Sequence, residues 1–353
     1  MNQNIQDLVR LSQYAGERID IVQAGGGNSS VKDGSTLWVK ASGFTLSDLT
    51  AEKGIATVDQ LKVASLFDRE LPVEKRALEL MGSEVITEAH LEGPRPSIET
   101  FLHAITGRVT LHTHPIVVNL LVASQGWESV ARELFPQAAL VPYRTPGLEL
   151  GVAFTKEVKL LNDKGIDPKI ALFKNHGLLV SGETVDEVIR HHEAVLEVLE
   201  KHYQLDLRDY RSGSAVSALI RETTGAPWIA WRSQNQDLQR LWGAEKVHLK
   251  QRPLFPDQMV FNGYQPLELK NIQDVAAVTE FQGKFGSPPK VIVLDDALYF
   301  LAPNLKKAKE MEDVLLSQLF VFSKIPSDNL DFLPQAELSY LDNWESEKYR
   351  QGI

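Results

Sequence analysis

The sequence predicts a mixed α/β protein of about two domains, on three observations. The chain has 353 residues, and at roughly 150 residues per domain that length gives about two domains, or one large domain with an appendage. Segments with apolar residues at helical spacing alternate with short apolar runs bounded by Gly, Pro, Asn and Asp, the pattern of helices interleaved with strands. Hydrophobic residues make up 43% and charged residues 24%, an ordinary globular composition that rules out disorder, collagen-like repeats and coiled coil as the main state.

Residues 5–19 carry Ile5, Leu8 and Leu11 at helical spacing and predict a helix. Residues 24–30, AGGGNSS, read as a loop. Residues 31–32 and 36–40 predict two short strands joined by an Asp33-Gly34 turn, a good hairpin signal, with Ala41-Ser42-Gly43 closing the pair. Residues 50–90 read as mixed helix and loop. Pro94-Arg95-Pro96 punctuates the chain, and Ser97 is placed to cap a helix over 98–106. Residues 108–115 predict a strand, 117–124 a helix, and 140–147 an extended turn segment. Residues 170–173 and 177–180 predict strands flanking an Asn175-His176 turn. Thr184 and Glu187 have capping-box spacing, and the helix behind them buries Val188, Ile189, Val195, Leu196 and Leu199.

Composition shifts near Arg211-Ser212-Gly213-Ser214, which sets expected domains of 1–210 and 211–353. The second contains a helix over 272–285, strands over 290–294 and 298–302, and a helix over 306–323 with Asn304 at its cap. It ends in an acidic, aromatic stretch, 338–350, that includes Trp344 and Tyr349.

Charge and composition exclude several function classes. The 37 basic and 47 acidic residues leave a formal charge of −10, whereas a nucleic-acid binder presents a basic face. There is no cysteine. Disulfides, thiolate zinc sites, iron–sulfur clusters and cysteine nucleophiles are thereby excluded, so any metal must be held by His, carboxylate or backbone oxygen. No apolar run approaches the ~18 residues of a membrane span. The start, MNQNIQDLVR, lacks the layout of a signal peptide. A cytoplasmic protein with no nucleic-acid or membrane partner is expected.

His112 and His114 stand at i and i+2 of a predicted strand, so their side chains share a face. They are either two ligands of one metal or a polar pair on a wet face. His176 lies in a turn between two apolar strands, where an unpaired buried ring is costly. It is either bonded to backbone or the third ligand of a three-histidine site with an open position, the arrangement that catalytic zinc prefers. Glu99 sits in the first predicted helical turn, as a cap favoured by the helix dipole or as a carboxylate that binds metal or moves a proton. His103, at i+4 on the same helix face, supports either role without being a ligand. The run Gly25-Gly26-Gly27-Asn28-Ser29-Ser30 is an anion nest or a tight hairpin entry, with Lys32 and Lys40 flanking it. It matches neither the dinucleotide-binding nor the Walker pattern.

Six segments in order, GGGNSSVK, WVKASG, PSIETFLH, LHTHP, VPYRTPG and FKNHGLLVSG, resemble the class II aldolase/adducin family over residues 20–205. The wording of the first two and the tail LSYLDNWESEKYRQ most resemble the aldolase half of bacterial proteins that fuse this domain to a short-chain dehydrogenase, here expected without the dehydrogenase half. The resemblance implies a three-layer αβα fold with a central, mainly antiparallel sheet, plus a smaller C-terminal α+β subdomain. It also implies one Zn²⁺ per subunit on His112, His114 and His176, with Glu99 as the acid/base carboxylate. Gly27, Asn28, Ser29, Ser42, Gly43 and Ser97 would face a substrate phosphate. Tyr143 would donate a proton into a neighbouring subunit's site, in a homo-oligomer, expected to be a tetramer. The implied reaction is reversible cleavage of a ketose 1-phosphate, of the rhamnulose or fuculose type, to dihydroxyacetone phosphate and a small aldehyde. Epimerisation, decarboxylation or dehydration of a sugar phosphate are the alternatives, and a non-catalytic adducin-like binding protein is the remaining one. Ile98 departs from the family pattern, taking the place of a second serine before the catalytic Glu.

Overall fold

The structure is a computed structural model that describes residues 2–245, 250 and 252–342; Trp344 and Tyr349 of the acidic tail lie outside them. The chain divides into two compact units, Met1–Leu207 and Arg208–Ile353.

In the first unit, α1 (Gln3–Gly16) begins where the Asn2 side chain accepts from the Asn4 N–H. It stops three residues short of the expected end. Arg18 turns its side chain inward to Asp20, and its carbonyl accepts from the N–H groups of Ile21 and Val22, which bends 17–22 into a turn. The hairpin is β1 (Asn28–Asp33) and β2 (Thr36–Lys40), joined by Gly34-Ser35 with Gly34 at φ +56°. β1 starts three residues earlier than predicted because Asn28 to Val31 also pair with a second strand.

Within 50–90 the chain forms β3 (Ile55–Asp59), α2 (Gln60–Ala64) and α3 (Lys75–Ala89), followed by β4 (His90–Glu92). The expectation of helix and loop alone therefore overlooked β3. Its alternation, Ala56 and Val58 inward, spans only five residues. Next come α4 (Thr100–Ala104), β5 (Val109–Thr113), α5 (Ile116–Ala123), α6 (Trp127–Leu134), β6 (Ala139–Val141) and α7 (Leu148–Asn162). β7 (Ile170–Phe173), β8 (Gly177–Gly182) and α8 (Val185–Tyr203) complete the unit. At the start of α8 the Thr184 hydroxyl accepts from the Glu187 N–H, while the Glu187 carboxylate reaches one residue further back, to the Glu183 N–H.

The eight strands form one sheet in the order β4-β3-β2-β1-β5-β8-β7-β6. Every pairing is antiparallel except β6 with β7. One face packs Val31, Leu111 and Val180 against α1, α5, α6 and α8, through residues such as Leu11, Val118, Ala131 and Val195. The other face packs against α2, α3, α4 and α7 in two clusters, one around Val39, Val58 and Phe101, the other around Leu102, Phe154 and Leu179. Each fully buried Val, Leu or Phe side chain contributes about 1.5–3 kcal/mol. This is the three-layer αβα arrangement with a mainly antiparallel sheet.

The second unit is the smaller α+β part. It contains α9 (Arg208–Thr224), β9 (Ile229–Arg232), α10 (Gln236–Glu245), α11 (Pro256–Asn262), β10 (Leu267–Glu268) and α12 (Val275–Phe285). β11 (Val291–Leu294), β12 (Ala297–Ala302), α13 (Leu305–Phe322) and α14 (Gln335–Asp342) follow. Residues 211–214 lie inside α9. Strand order is β10-β11-β12-β9, parallel only between β10 and β11. Along β11, Val291 and Val293 face α10 and α13 while Ile292 and Leu294 face α9 and α12, the period-2 alternation of a strand covered on both sides. As the sequence indicated, Asn304 caps α13, accepting from the Lys307 N–H. Among the described residues no helix is long and apolar enough to cross a membrane.

Candidate metal centre and active site

The site is built by sheet register. His112 of β5 stands opposite Asn28 of β1 on one side and Leu179 of β8 on the other. Directly opposed residues of an antiparallel pair share a face, so Asn28 and His112 project together toward the α4 side. The His112 Nδ1–H donates to the Leu178 carbonyl at 2.9 Å. A carbonyl can only accept, so Nδ1 holds the ring proton and Nε2 presents its lone pair. Around that lone pair stand the Nε2 atoms of His114 at 3.1 Å and His176 at 3.2 Å. The ligand atoms of all three lie within 4.8 Å of one another.

Local backbone features place the other two rings. The His114 N–H donates to the Ile21 carbonyl, which fixes the chain just beyond β5. Glycine is required beside it: a Cβ on Gly177 would lie 2.3 Å from the Thr113 carbonyl oxygen and 2.9 Å from His114 Cδ2. His176 is reached through Asn175 at φ +52°, a conformation that Asn tolerates better than most residues. Burial pushes His112 down to about 3, partly opposed by Glu99, and pushes His114 down to about 4. Both are thus neutral near pH 7, the form that ligates metal. Three imidazole nitrogens converging on one point in a cysteine-free chain fit a divalent transition ion.

Glu99 completes the cluster. It occupies the N-cap position of α4, but its carboxylate makes no capping bond. It turns to the histidines instead. Oε2 accepts from Asn28 Nδ2 at 2.6 Å and stands 3.7 Å from His112 Nε2. Oε1 stands 3.2 Å from His176 Nε2, without hydrogen-bond geometry and with no other partner. Burial acts to raise this carboxyl's pKa, but His112, His176 and the Asn28 amide outweigh it and hold it well below the usual carboxylate range. Three clustered ring nitrogens, with a buried carboxylate beside two of them, make a site suited to a cation.

His103 and Ser30 join the site through Asn28; sequence reasoning left the first open and missed the second. His103 is fully buried. Its Nε2–H donates to Asn28 Oδ1, and its Nδ1 accepts from the Ser30 hydroxyl at 2.7 Å. Burial pushes His103 down to about 3, so the ring is neutral and this proton order is fixed. Asn28 is held with its amide N–H toward Glu99. The i, i+4 spacing of Glu99 and His103 was the available signal; Ser30 had none.

The residues expected to face a phosphate divide. Ser97 lies at the site: its hydroxyl accepts from the Glu99 N–H at 3.2 Å and from Asn28 Nδ2 at 3.4 Å. That fixes the entry to α4, which is shorter than the predicted 98–106 helix. Ser42 and Gly43 adjoin this segment, since the Ser42 N–H donates to the Arg95 carbonyl and Ala41 bridges Pro96. Gly27 packs close, at φ +71°, where a Cβ would lie 2.7 Å from the His112 carbonyl oxygen. Ser29 is a correction. It pairs with Leu111, points to the opposite face of the sheet and bonds Ser12 on α1; alternation along β1 puts it there. Lys32 is used up on the carbonyls of Ala104 and Thr106, and Lys40 on those of Phe44 and Ala41. Ile98 lines a neighbouring cavity of about 350 Å³ with Arg95, Phe101 and Leu148. Tyr143 is 54% exposed on the segment after β6.

Residues 6–203 match the family described as Class II Aldolase and Adducin N-terminal domain. An uncharacterized oxidoreductase of Bacillus subtilis (strain 168), YuxG, is 25% identical over 211 residues, which are 56% of this chain and 29% of that protein. The chain thus spans less than a third of the length of that curated relative. Among solved structures, the N-terminal class II aldolase domain of a conserved protein from Thermoplasma acidophilum is 22% identical with a TM-score of 0.49, covering 57% of this chain and 95% of that one. An L-fuculose-1-phosphate aldolase from Thermus thermophilus is 14% identical with a TM-score of 0.36, covering 57% of this chain and 92% of that one.

Proposed function

Because the chain belongs to the class II aldolase and adducin family, we propose that it is a metal-dependent lyase that reversibly cleaves a ketose 1-phosphate of the rhamnulose or fuculose type to dihydroxyacetone phosphate and a small aldehyde. The observation that carries this reading is the convergence of three Nε2 atoms, with the Glu99 carboxylate beside those of His112 and His176. His112, His114 and His176 hold one Zn²⁺, which when bound supplies Lewis acidity toward the substrate's carbonyl oxygen.

The chain's own groups do the rest. Glu99 moves the proton at the metal side, since its carboxylate is ionised and aimed by Asn28. Ser42, Gly43 and Ser97 bind the phosphate, with Gly27 and Asn28 shaping the floor. Tyr143, exposed in the single chain, donates the second proton to a site on another subunit, which makes the working protein a homo-oligomer, most simply a tetramer. Kinship with the aldolase half of aldolase/dehydrogenase fusion proteins is supported by the GNSSVK and WVKASG wording and by a match confined to 29% of a longer relative.

Elemental analysis of protein purified without chelator tests the metal, and a panel of ketose phosphates scored for dihydroxyacetone phosphate tests the reaction. About one equivalent of zinc is expected in the natural chain, with most of it lost in His176→Ala while the fold is kept. Full occupancy in that variant sinks the ligand assignment. Epimer, carbon dioxide or dehydrated product in place of dihydroxyacetone phosphate assigns the alternative chemistry, and absence of any divalent ion assigns a binding role.

A further inference from the structure

Behind β5, on the face of the sheet away from the histidine cluster, lies a second buried polar group. Thr113 sits between His112 and His114, and its hydroxyl meets His192 Nε2 on α8 at 2.8 Å. His192 Nδ1 meets the Tyr14 hydroxyl of α1 at 3.1 Å, and that hydroxyl meets Glu193 Oε1 at 2.7 Å. Arg18 donates to the same Glu193 oxygen and makes a two-pronged contact with Asp20, at 3.1 and 2.6 Å. The Arg18 and Asp20 side chains are each 1% exposed.

With His192 as a neutral ring, the bonds of this group set one order of protons. A carboxylate only accepts, so Tyr14 gives its single proton to Glu193. The Tyr14 oxygen must then accept from His192 Nδ1–H, which leaves Nε2 to accept the Thr113 hydroxyl proton. The chain of donors runs one way, from the middle of the His112–His114 segment to a carboxylate anchored by Arg18. The same turn grips that segment a second time through backbone: Asp20 O accepts from the Ile116 N–H at 2.9 Å and Ile21 O from the His114 N–H at 3.1 Å. A buried ion pair contributes little net stability against an apolar replacement, because desolvation offsets its Coulomb gain. What a fully satisfied network does supply is a single fixed geometry.

We infer that Thr113, His192 and Tyr14 are positioning residues for the metal site, holding the backbone between His112 and His114 from behind so that their Nε2 atoms converge. The inference rests on the reading of the three histidines as a metal site. The loss of groups that orient metal ligands typically lowers metal affinity 10- to 100-fold.

The test uses the whole 353-residue chain, stripped of metal and loaded with Co²⁺ as the probe. Affinity is read by chelator competition and ligand geometry by the visible absorption of the bound ion. In Thr113→Val the dissociation constant is expected to rise about tenfold, with a changed absorption band, and Thr113→Ser is expected to restore both. Tyr14→Phe is expected to weaken binding as well, and the double variant to be no worse than the weaker single one, the signature of one shared path. Folded Thr113→Val and Tyr14→Phe proteins with natural affinity and spectrum would overturn the inference while leaving the metal site intact. Failure of the natural chain to bind Co²⁺ at all overturns both. Should Thr113→Val fail to fold, Tyr14→Phe and Thr113→Ser carry the same comparison.

Discussion

Glu99 shows how a single side chain changes role with its surroundings. At a helix N-terminus a carboxylate ordinarily caps the backbone, but here the Ser97 carbonyl accepts from the Thr100 N–H, the first of α4, and Asn28 draws the Glu99 carboxylate toward the histidines. Glu99→Gln keeps the shape and removes the ionisable group. We expect it to lower turnover about 10²-fold or more on the substrate the panel identifies, with metal content unchanged; unaltered turnover would demote Glu99 to a structural residue. The buried histidines predict a pH dependence. His103, His112 and His114 have folded-state values of about 3, 3 and 4 against an ordinary value of 6.5. The unfolded chain therefore binds more protons between those limits, and stability of the metal-free protein is fully present above 6.5 and falls as pH drops toward about 4. Denaturant titrations over that range are expected to show proton uptake on unfolding that approaches three from these groups. His103→Gln is expected to reduce that uptake by about one; an unchanged pH slope in that variant would refute the assignment of His103 as buried and neutral.

At the scale of elements, the decisive feature is how closely strands and turns approach one another. β8 begins at Gly177, and there the backbone passes so near β5 that any Cβ would meet the Thr113 carbonyl oxygen at 2.3 Å. Gly177→Ala must push β5 and β8 apart or displace His114. A cost of about 2–4 kcal/mol is expected, the range for overpacking combined with disrupted backbone pairing. Metal affinity should fall with it. Thermal melts and chelator competition on the same sample check this, and a variant with unchanged melting and affinity would show that the two strands have slack. Much at this scale was legible in the sequence. The hairpin, the His112–His114 strand, the strand–turn–strand around His176 and the capped helix after Asn304 all follow from alternation and turn chemistry. β3 was not, because a five-residue strand among helical segments carries too little periodicity to stand out.

At the scale of the whole molecule, the exposed Tyr143 and the compact Glu99 cluster set a specific expectation about assembly. If Tyr143 serves a neighbouring subunit, Tyr143→Phe and Glu99→Gln damage different halves of one shared site. Co-assembled subunits carrying the two substitutions should then recover part of the lost activity, since some sites in the mixture pair an intact Glu99 with an intact Tyr143. Turnover of the mixture that equals the sum of the separate variants would place both residues in the same subunit's site.

Sequence by itself determined the α/β class, the order of most elements, and the residue types available for chemistry. Those follow from local periodicity and from composition: nine histidines and no cysteine leave few ways to bind a transition ion. The spacing of His112 and His114 fixed that they share a face, because strand geometry repeats every two residues. Only the tertiary structure decided which face that was and what stood on it. Pairing of β1 with β5 put Asn28 beside His112 and sent Ser29 to the opposite side, and a one-residue shift of register would have exchanged them. The same pairing, with α4 folded over it, joined His103 to Glu99 through Asn28, and α1 and α8 brought Tyr14 and His192 behind Thr113. Contacts between residues 75 or 179 positions apart leave no trace in local pattern, because they depend on register and layer packing, which the whole chain sets together.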